Sequence, residues 1–320
     1  MSKLNRKMIL SFLAVLLLAG LVKLEIPGNT FLSREINNAM HFPFFGILSL
    51  TIFGLLSLYL NRMGRLQIYF SAFIITIVIG ALHELSQVFG PRDADVADLI
   101  KDAAGAVTFL GFFMIYDKKM TPFWQKYGPA LKSILFVTAV LLIISILAPI
   151  AIWAEAYIHR DNNFPVICDF ESFWETRFLK TEDAVLEIEK ISFVDNGADE
   201  NKAGKLTFFP VEYPGLLIEE PYPDWTGYKS FDFSVYSDLE GTVPITVRIE
   251  DSWHDEEYSD RFNRTFDVAP GLNEISIPLN EVQRAPSTRN MDMKKIRAIL
   301  LFAHNPDKEF ALYFDDFHLE

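Results

Sequence analysis

The chain has 320 residues, 50% of them hydrophobic, and a net charge of −13 that is unevenly divided: residues 1–155 carry a net +4 and residues 156–320 a net −17. This length allows two domains, and the split separates a series of apolar runs from an acidic half with strand-like patterning. So acidic a half repels nucleic acid and anionic lipid, which excludes both as its partners and leaves cations or neutral polar ligands.

The basic N-terminus MSKLNRK precedes an uncharged run from Met8. It reads either as a signal peptide or, favoured by the poor cleavage region Lys23-Leu24-Glu25, as an uncleaved span over about 8–24. Further spans are expected at 41–60, 66–88, 97–116 and 133–154, making a five-span α-helical transmembrane bundle of residues 1–155. The fourth is short. The uncharged residues between Asp102 and Asp117 would reach only about 21 Å, against roughly 30 Å of hydrocarbon. To cross, that helix must begin near Val96 or Ala97, which draws Asp98, Lys101 and Asp102 towards the membrane.

Loop charges set the orientation. Lys3, Arg6, Lys7, Arg62, Arg65, Lys118, Lys119, Lys126 and Lys132 fall on one side; Lys23, Arg34, Arg92 and Lys101 fall on the other. The N-terminus is therefore expected in the cytoplasm and the acidic half outside. This places His41, Glu84, Gln87, Arg92, Asp98 and Asp102 at one outer level, in and around the stretch HELSQVFGPRDADVADLIKDAAG. Ionisable groups at such a depth mark a functional site, with mutual structural pairing as the alternative. Gly80, Glu84 and Gln87 share one helix face, as do Asp98, Asp102, Gly105 and Phe109, and the glycines allow close helix approach. His83-Glu84-Leu85-Ser86-Gln87 lacks the second histidine of the helical zinc-protease signature, which excludes that class.

Glu84, Gln87, Arg92, Asp98, Asp102 and Gly105, with His41 upstream in NNAMHFPFFGILSL, form a pattern that resembles the VanZ-like membrane proteins over about residues 8–120. The chain departs from that pattern at Asp102, often Asn in the family, and at Asn37-Asn38, often Asp-Lys. The resemblance implies a bacterial plasma-membrane protein associated with glycopeptide resistance, with membrane lipid and a glycan or lipid-linked wall precursor as partners. An alternative function is an outer-leaflet enzyme on such a precursor, with Glu84 as general acid or base and Arg92 holding an anionic group.

Residues 156–165 read as a short polar linker. Beyond it come strand candidates at 185–188, 206–209, 215–218, 231–236, 243–250, 262–268, 273–279, 296–302 and 310–319, many alternating apolar with polar, which argue for an all-β jelly-roll sandwich over 166–320. Cys168, the lone cysteine, reads as a small buried apolar group. DFES at 169–172, WTGYKSFDFSVYS at 225–237, VRIED at 247–251, PGLNEISIPL at 270–279 and LYFDDFHL at 312–319 resemble the galactose-binding-like jelly rolls used as carbohydrate-binding modules. That resemblance implies a structural calcium at Glu171 and Asp315, whose two carboxylates would need further oxygen ligands. The segment DSWHDEEY suggests a sugar site, with Trp253 and Tyr258 stacking on a ring and Asp251, His254 and Arg261 bonding its hydroxyls. Trp225 and Tyr228 are alternative platforms, and core packing is the other role open to these aromatics.

Overall fold

The computed structural model describes residues 3–20, 27–60, 62–87, 95–191 and 201–320. The chain forms two compact units, Met1–Ala154 and Glu155–Glu320.

The first unit is helical: α1 Lys3–Gly20, α2 Phe31–Tyr59, α3 Arg65–Gln87, α4 Val96–Tyr116 and the greater part of α5 Thr121–Asn163. Helices α2 to α5 are each long and apolar enough to cross a membrane. Helix α1 is not among those four; its basic Lys3, Arg6 and Lys7 occupy its first turns. Residues 21–24 of the expected first span lie outside the described residues.

Helix α2 begins ten residues before the apolar run that announced it at 41–60. Thr30 accepts a hydrogen bond from the Ser33 N–H at 3.1 Å and caps the helix, so the polar turn Ser33–Asn38 is helical too. Asp95 caps α4 in the same way, accepting from the Ala97 N–H at 2.8 Å. This starts α4 at Val96 and puts Asp98 in its first turn, where the helix dipole favours an anion. Helix α5 continues through the segment read as a linker, 156–165. Nothing between Glu155 and Asn163 breaks a helix, and Pro165 stands two residues beyond its end. Near its other end, Gly128 interrupts the helix with φ +81°, just before Pro129.

Helices α2 and α4 meet closely. A Cβ built on Gly105 would lie 2.0 Å from the Phe42 carbonyl oxygen, and one on Gly46 would lie 2.4 Å from the Phe109 ring. Phe45, Leu48, Phe53, Tyr69, Ala72 and Leu110 fill the core around this contact. At the far end of the same helices Arg65 donates to Asp117 at 2.5 Å and to Ser57 at 2.9 Å, and Tyr69 donates to Asp117 at 3.0 Å.

The second unit is a sandwich of two antiparallel sheets. Its strands are β1 Val166–Cys168, β2 Leu179–Glu182, β3 Ala184–Lys190, β4 Lys202–Phe208, β5 Gly215–Glu219, β6 Ser230–Ser237, β7 Val243–Asp251, β8 Phe262–Val268, β9 Gly271–Pro278, β10 Ile296–Phe302 and β11 Phe310–Leu319. A short helix, α6 Leu279–Arg284, follows β9. One sheet runs β3-β4-β11-β6-β9, with β1 also on β11; the other runs β2-β5-β10-β7-β8. From β4 onward most connections cross from one sheet to the other, the connectivity of a jelly roll. Alternate residues point inward and form one aromatic-rich core that includes Trp225, Phe231, Phe233, Phe314 and Phe317. Cys168 is buried there.

Gly105→Ala places a methyl group against a backbone carbonyl that cannot move alone, and is expected to cost about 1–3 kcal/mol, the usual range for overpacking. Gly54→Ala meets the flexible Leu10 side chain at 2.9 Å and should cost less. Thermal unfolding of the two variants in detergent checks the order.

Candidate functional site

Two regions collect chemistry-bearing side chains, one in each unit. In the helical unit His41 on α2, Glu84 on α3, and Asp98 and Asp102 on α4 converge. His41 Nδ1 is 3.0 Å from Asp102 Oδ1, and its Nε2 is 3.7 Å from Asp98 Oδ2. Lys101 donates to Asp98 at 2.6 Å, and the Asp95 N–H donates to Glu84 at 3.1 Å. Glu84 is buried and Asp102 has no exposed surface. Among the described residues Asp102 Oδ2 has no hydrogen-bond partner, and it lies 2.8 Å from where a Cβ would be on Gly80. Gln87 is the last residue of α3. Arg92, expected in this cluster, lies outside the described residues.

In the sandwich, the outward face of the five-stranded sheet and the loop after β7 form the second region. Along β7, Ile245, Val247 and Ile249 enter the core, so Thr246, Arg248 and Glu250 face the other way. Register places Asn263 and Leu300 on either side of Arg248, with Leu217 beyond Leu300. Thr246 and Thr265 pair through their hydroxyls at 2.9 Å. Glu250 is bonded to both Arg248 and Arg297. The Arg261 guanidinium lies 5.2 Å from the Tyr258 ring centre, and burial together with the charge of Arg248 lowers its pKa. Arg248 Nε, Arg261 Nε and Asn263 Oδ1 are buried without hydrogen-bond partners.

The residues expected to hold a sugar separate into two groups. Tyr258 is 71% exposed and Trp253 61% exposed, so both rings are available. Tyr258 joins Arg261, while Trp253 lies under Lys295 Nζ at 4.7 Å. Asp251, His254 and Trp225 are structural instead. Asp251 is fully buried and binds Arg289 through both oxygens at 2.5 and 2.7 Å, and also accepts N–H groups from Trp253 and Asp292. Arg289 reaches Asp260 with its remaining donors at 2.6 and 2.8 Å. His254 has a buried ring, with Nδ1 3.1 Å from the Asp260 carbonyl oxygen and Nε2 3.1 Å from Arg248. Trp225 is a core residue whose Nε1–H donates to the Tyr222 carbonyl at 2.8 Å. Tyr228 is half-buried against the same core. The Arg248, Arg289 and Asn263 contributions went unread in the sequence, where they resemble ordinary outward polar positions.

The expected calcium pair does not fit that ion as it stands. Glu171 accepts from the Lys202 N–H at 2.5 Å and from the Lys202 ammonium at 3.2 Å, so a cation already occupies it. Asp315 accepts from Asn201 at 3.0 Å and from the Asp316 N–H at 2.8 Å. Calcium takes six to eight oxygens, and these two supply few free ones. Among the described residues, the groups of three or more metal-type ligands are His41, Glu84 and Asp98, and His254, Asp255 and Asp260. In the second group Arg289 holds Asp260 and Arg248 adjoins His254.

Two opposed titrations act on the sandwich. Burial by itself raises Asp251, but Arg289 and the N–H groups of Asp292 and Trp253 hold it below the usual carboxylate range; Arg289 does the same for Asp260. Burial and the charge of Asp169 push Glu175 up to about 7, and burial pushes Asp315 up to about 6. Groups with lowered folded pKa stabilise above their unfolded value of about 3.9 and lose this as pH falls further. Groups with raised folded pKa hold protons the unfolded chain has released, so stability falls as pH rises through 4 to 7. The melting temperature of the sandwich is therefore expected to peak near about pH 4–5. Glu175→Gln and Asp315→Asn should flatten the decline towards pH 7, measured by thermal melts across that range. Arg289→Ala leaves Asp251 buried and unpaired and should cost about 3 kcal/mol at neutral pH, the low end for a broken buried pair because the guanidinium is partly exposed; chemical unfolding of the sandwich transition measures it.

No protein-family model matches this chain, and no curated protein matches it. Among solved structures, an exo-beta-agarase is 18% identical with a TM-score of 0.41, covering 48% of this chain and 25% of that one. The family 11 carbohydrate-binding module from Clostridium thermocellum, in complex with a beta-1,3-1,4-mixed-linked tetrasaccharide, is 15% identical with a TM-score of 0.38, covering 48% of this chain and 93% of that one. The family 30 carbohydrate-binding module of the cellulosomal cellulase Cel9D-Cel44B from the same organism is 13% identical with a TM-score of 0.34, covering 48% and 91%. At these values the likeness carries no functional argument.

Proposed function

We propose that this chain is a membrane-anchored glycan-binding protein of the bacterial envelope, with the outward face of the five-stranded sheet as the surface on which the glycan lies. One observation carries the reading: the Tyr258 ring stands exposed with the Arg261 guanidinium 5.2 Å from its centre, on the side of the sandwich where the outward side chains of β7 and β8 are polar. An open aromatic ring with a guanidinium beside it suits a ligand that offers hydroxyls and a flat apolar ring face. Arg248, Arg261 and Arg297 stand against Glu250 and Glu256 here, so the face is far less acidic than the sandwich as a whole and does not repel a neutral or carboxylated saccharide.

The anchor reading rests on helices α2 to α5 and on the distribution of Lys and Arg between loops, which favours a cytoplasmic N-terminus and an exported sandwich in the plasma membrane. The VanZ-like pattern over about residues 8–120 adds envelope maintenance or glycopeptide resistance as its setting, supported by the convergence of His41, Glu84, Asp98 and Asp102.

Full-length protein in nanodiscs is expected to be retarded on affinity gels holding cell-wall or surface polysaccharide. Tyr258→Ala and Arg261→Ala should each weaken binding about tenfold, the loss of one stacking or charge-assisted contact. Wild-type protein that migrates unretarded through a broad set of glycans, or binding indifferent to both substitutions, would overturn the proposal.

A further inference from the structure

We propose that His41 Nε2, Glu84 and Asp98 form a binding site for a divalent transition-metal ion in the helical unit, with Asp102 as the carboxylate that holds the imidazole for it. One nitrogen and two carboxylate oxygens from three helices come within 4.8 Å of one another. Ligand atoms on a tetrahedral ion with bonds of about 2.0–2.2 Å lie about 3.3–3.6 Å apart. His41 Nε2 and Asp98 Oδ2 are already at 3.7 Å, so that pair is close to the spacing an ion imposes, and the remaining separations, within 4.8 Å, close by side-chain movement.

The other side of the imidazole is arranged for the same purpose. Asp102 Oδ1 at 3.0 Å from Nδ1 favours the proton on that nitrogen, which leaves the Nε2 lone pair on the side of Asp98. Metal-bound histidines almost always make such a second bond to a carboxylate or carbonyl. Asp102 has no exposed surface, and among the described residues its Oδ2 has no partner. It is therefore an anionic group without compensating solvent at the edge of the cluster.

Charge points the same way. Glu84, Asp98 and Asp102 bring three carboxylates around one imidazole, with Lys101 bonded to Asp98. A cluster of this sign favours a cation. In the other histidine and carboxylate group among the described residues, arginines adjoin both the imidazole and Asp260. An imidazole with two carboxylates suits zinc or manganese better than calcium or magnesium, which prefer oxygen alone. Three protein ligands leave a coordination position for water or for a ligand oxygen.

The test uses full-length protein in detergent, stripped with a chelator, dialysed, and titrated separately with Zn²⁺ and Mn²⁺, with bound metal measured by elemental analysis. One equivalent is expected on the wild type and on Asp255→Asn in the sandwich. It should be lost in Glu84→Gln and in Asp98→Asn, and bound about 10–100-fold more weakly in Asp102→Asn. Circular dichroism establishes that each variant keeps its helices. Should a variant fail to fold, Co²⁺ added to the wild type decides: a ligand-field absorption band that Zn²⁺ abolishes supports the site, and its absence overturns it. Wild type that retains no metal, or an equivalent that survives both substitutions in folded protein, also overturns it.

Discussion

The helical unit depends on a carboxylate with no access to water. Asp102 can be buried between helices only if something bonds it and something makes room for it, and the neighbouring elements meet both conditions. His41 supplies the bond, and Gly80 leaves the space beside Oδ2. Gly105, three residues further along α4, lets the α2 backbone approach to the distance at which His41 reaches across. The Asp95 cap then fixes where α4 begins, and the same residue's N–H is given to Glu84. Removing any one of these features leaves the buried charge less well compensated, so a polar cluster and a tight helix contact are two aspects of one constraint.

In the sandwich a guanidinium takes the corresponding part. Arg289 bonds Asp251 at the end of β7 and Asp260 at the far side of the loop, clamping both ends of the segment that displays Trp253 and Tyr258. A loop of this length carrying exposed aromatic rings would otherwise lose considerable freedom when a ligand settles on it. With its ends bound to one cation and His254 buried beneath it, much of that ordering is already complete.

Much of this was readable from the residues. The alternation in Phe262–Val268, Ile296–Phe302 and Phe310–Leu319 matches the strands at their observed bounds, because β-branched and aromatic residues at period two have few other stable homes. Leu179–Glu182 escaped notice because it has one apolar residue and gains its place by pairing with β5. The start of α2 escaped because an apolar window ignores a polar first turn that Thr30 caps. At the candidate sites, spacing indicated which helix faces carry Glu84, Asp98 and Asp102, topology placed His41 at their level, and Tyr258 and Arg261 stood out in and beside the DSWHDEEY segment. What it could not show was commitment: Asp251 looks like a free ligand until Arg289, 38 positions later, is seen to hold it. Trp225 likewise looks like a platform until its burial is known.

Strand β11 lies in the interior of its sheet, hydrogen-bonded to β4 on one side and β6 on the other, with β1 joining its far end. Residues 310–319 are thus the centre around which much earlier segments must assemble, and β4 has no partner on that side until they arrive. Contacts this distant along the chain close slowly. During synthesis the earlier strands of this sheet are kept waiting with an open side, so vulnerability to misassembly is set by the interval before residues 310–319 emerge.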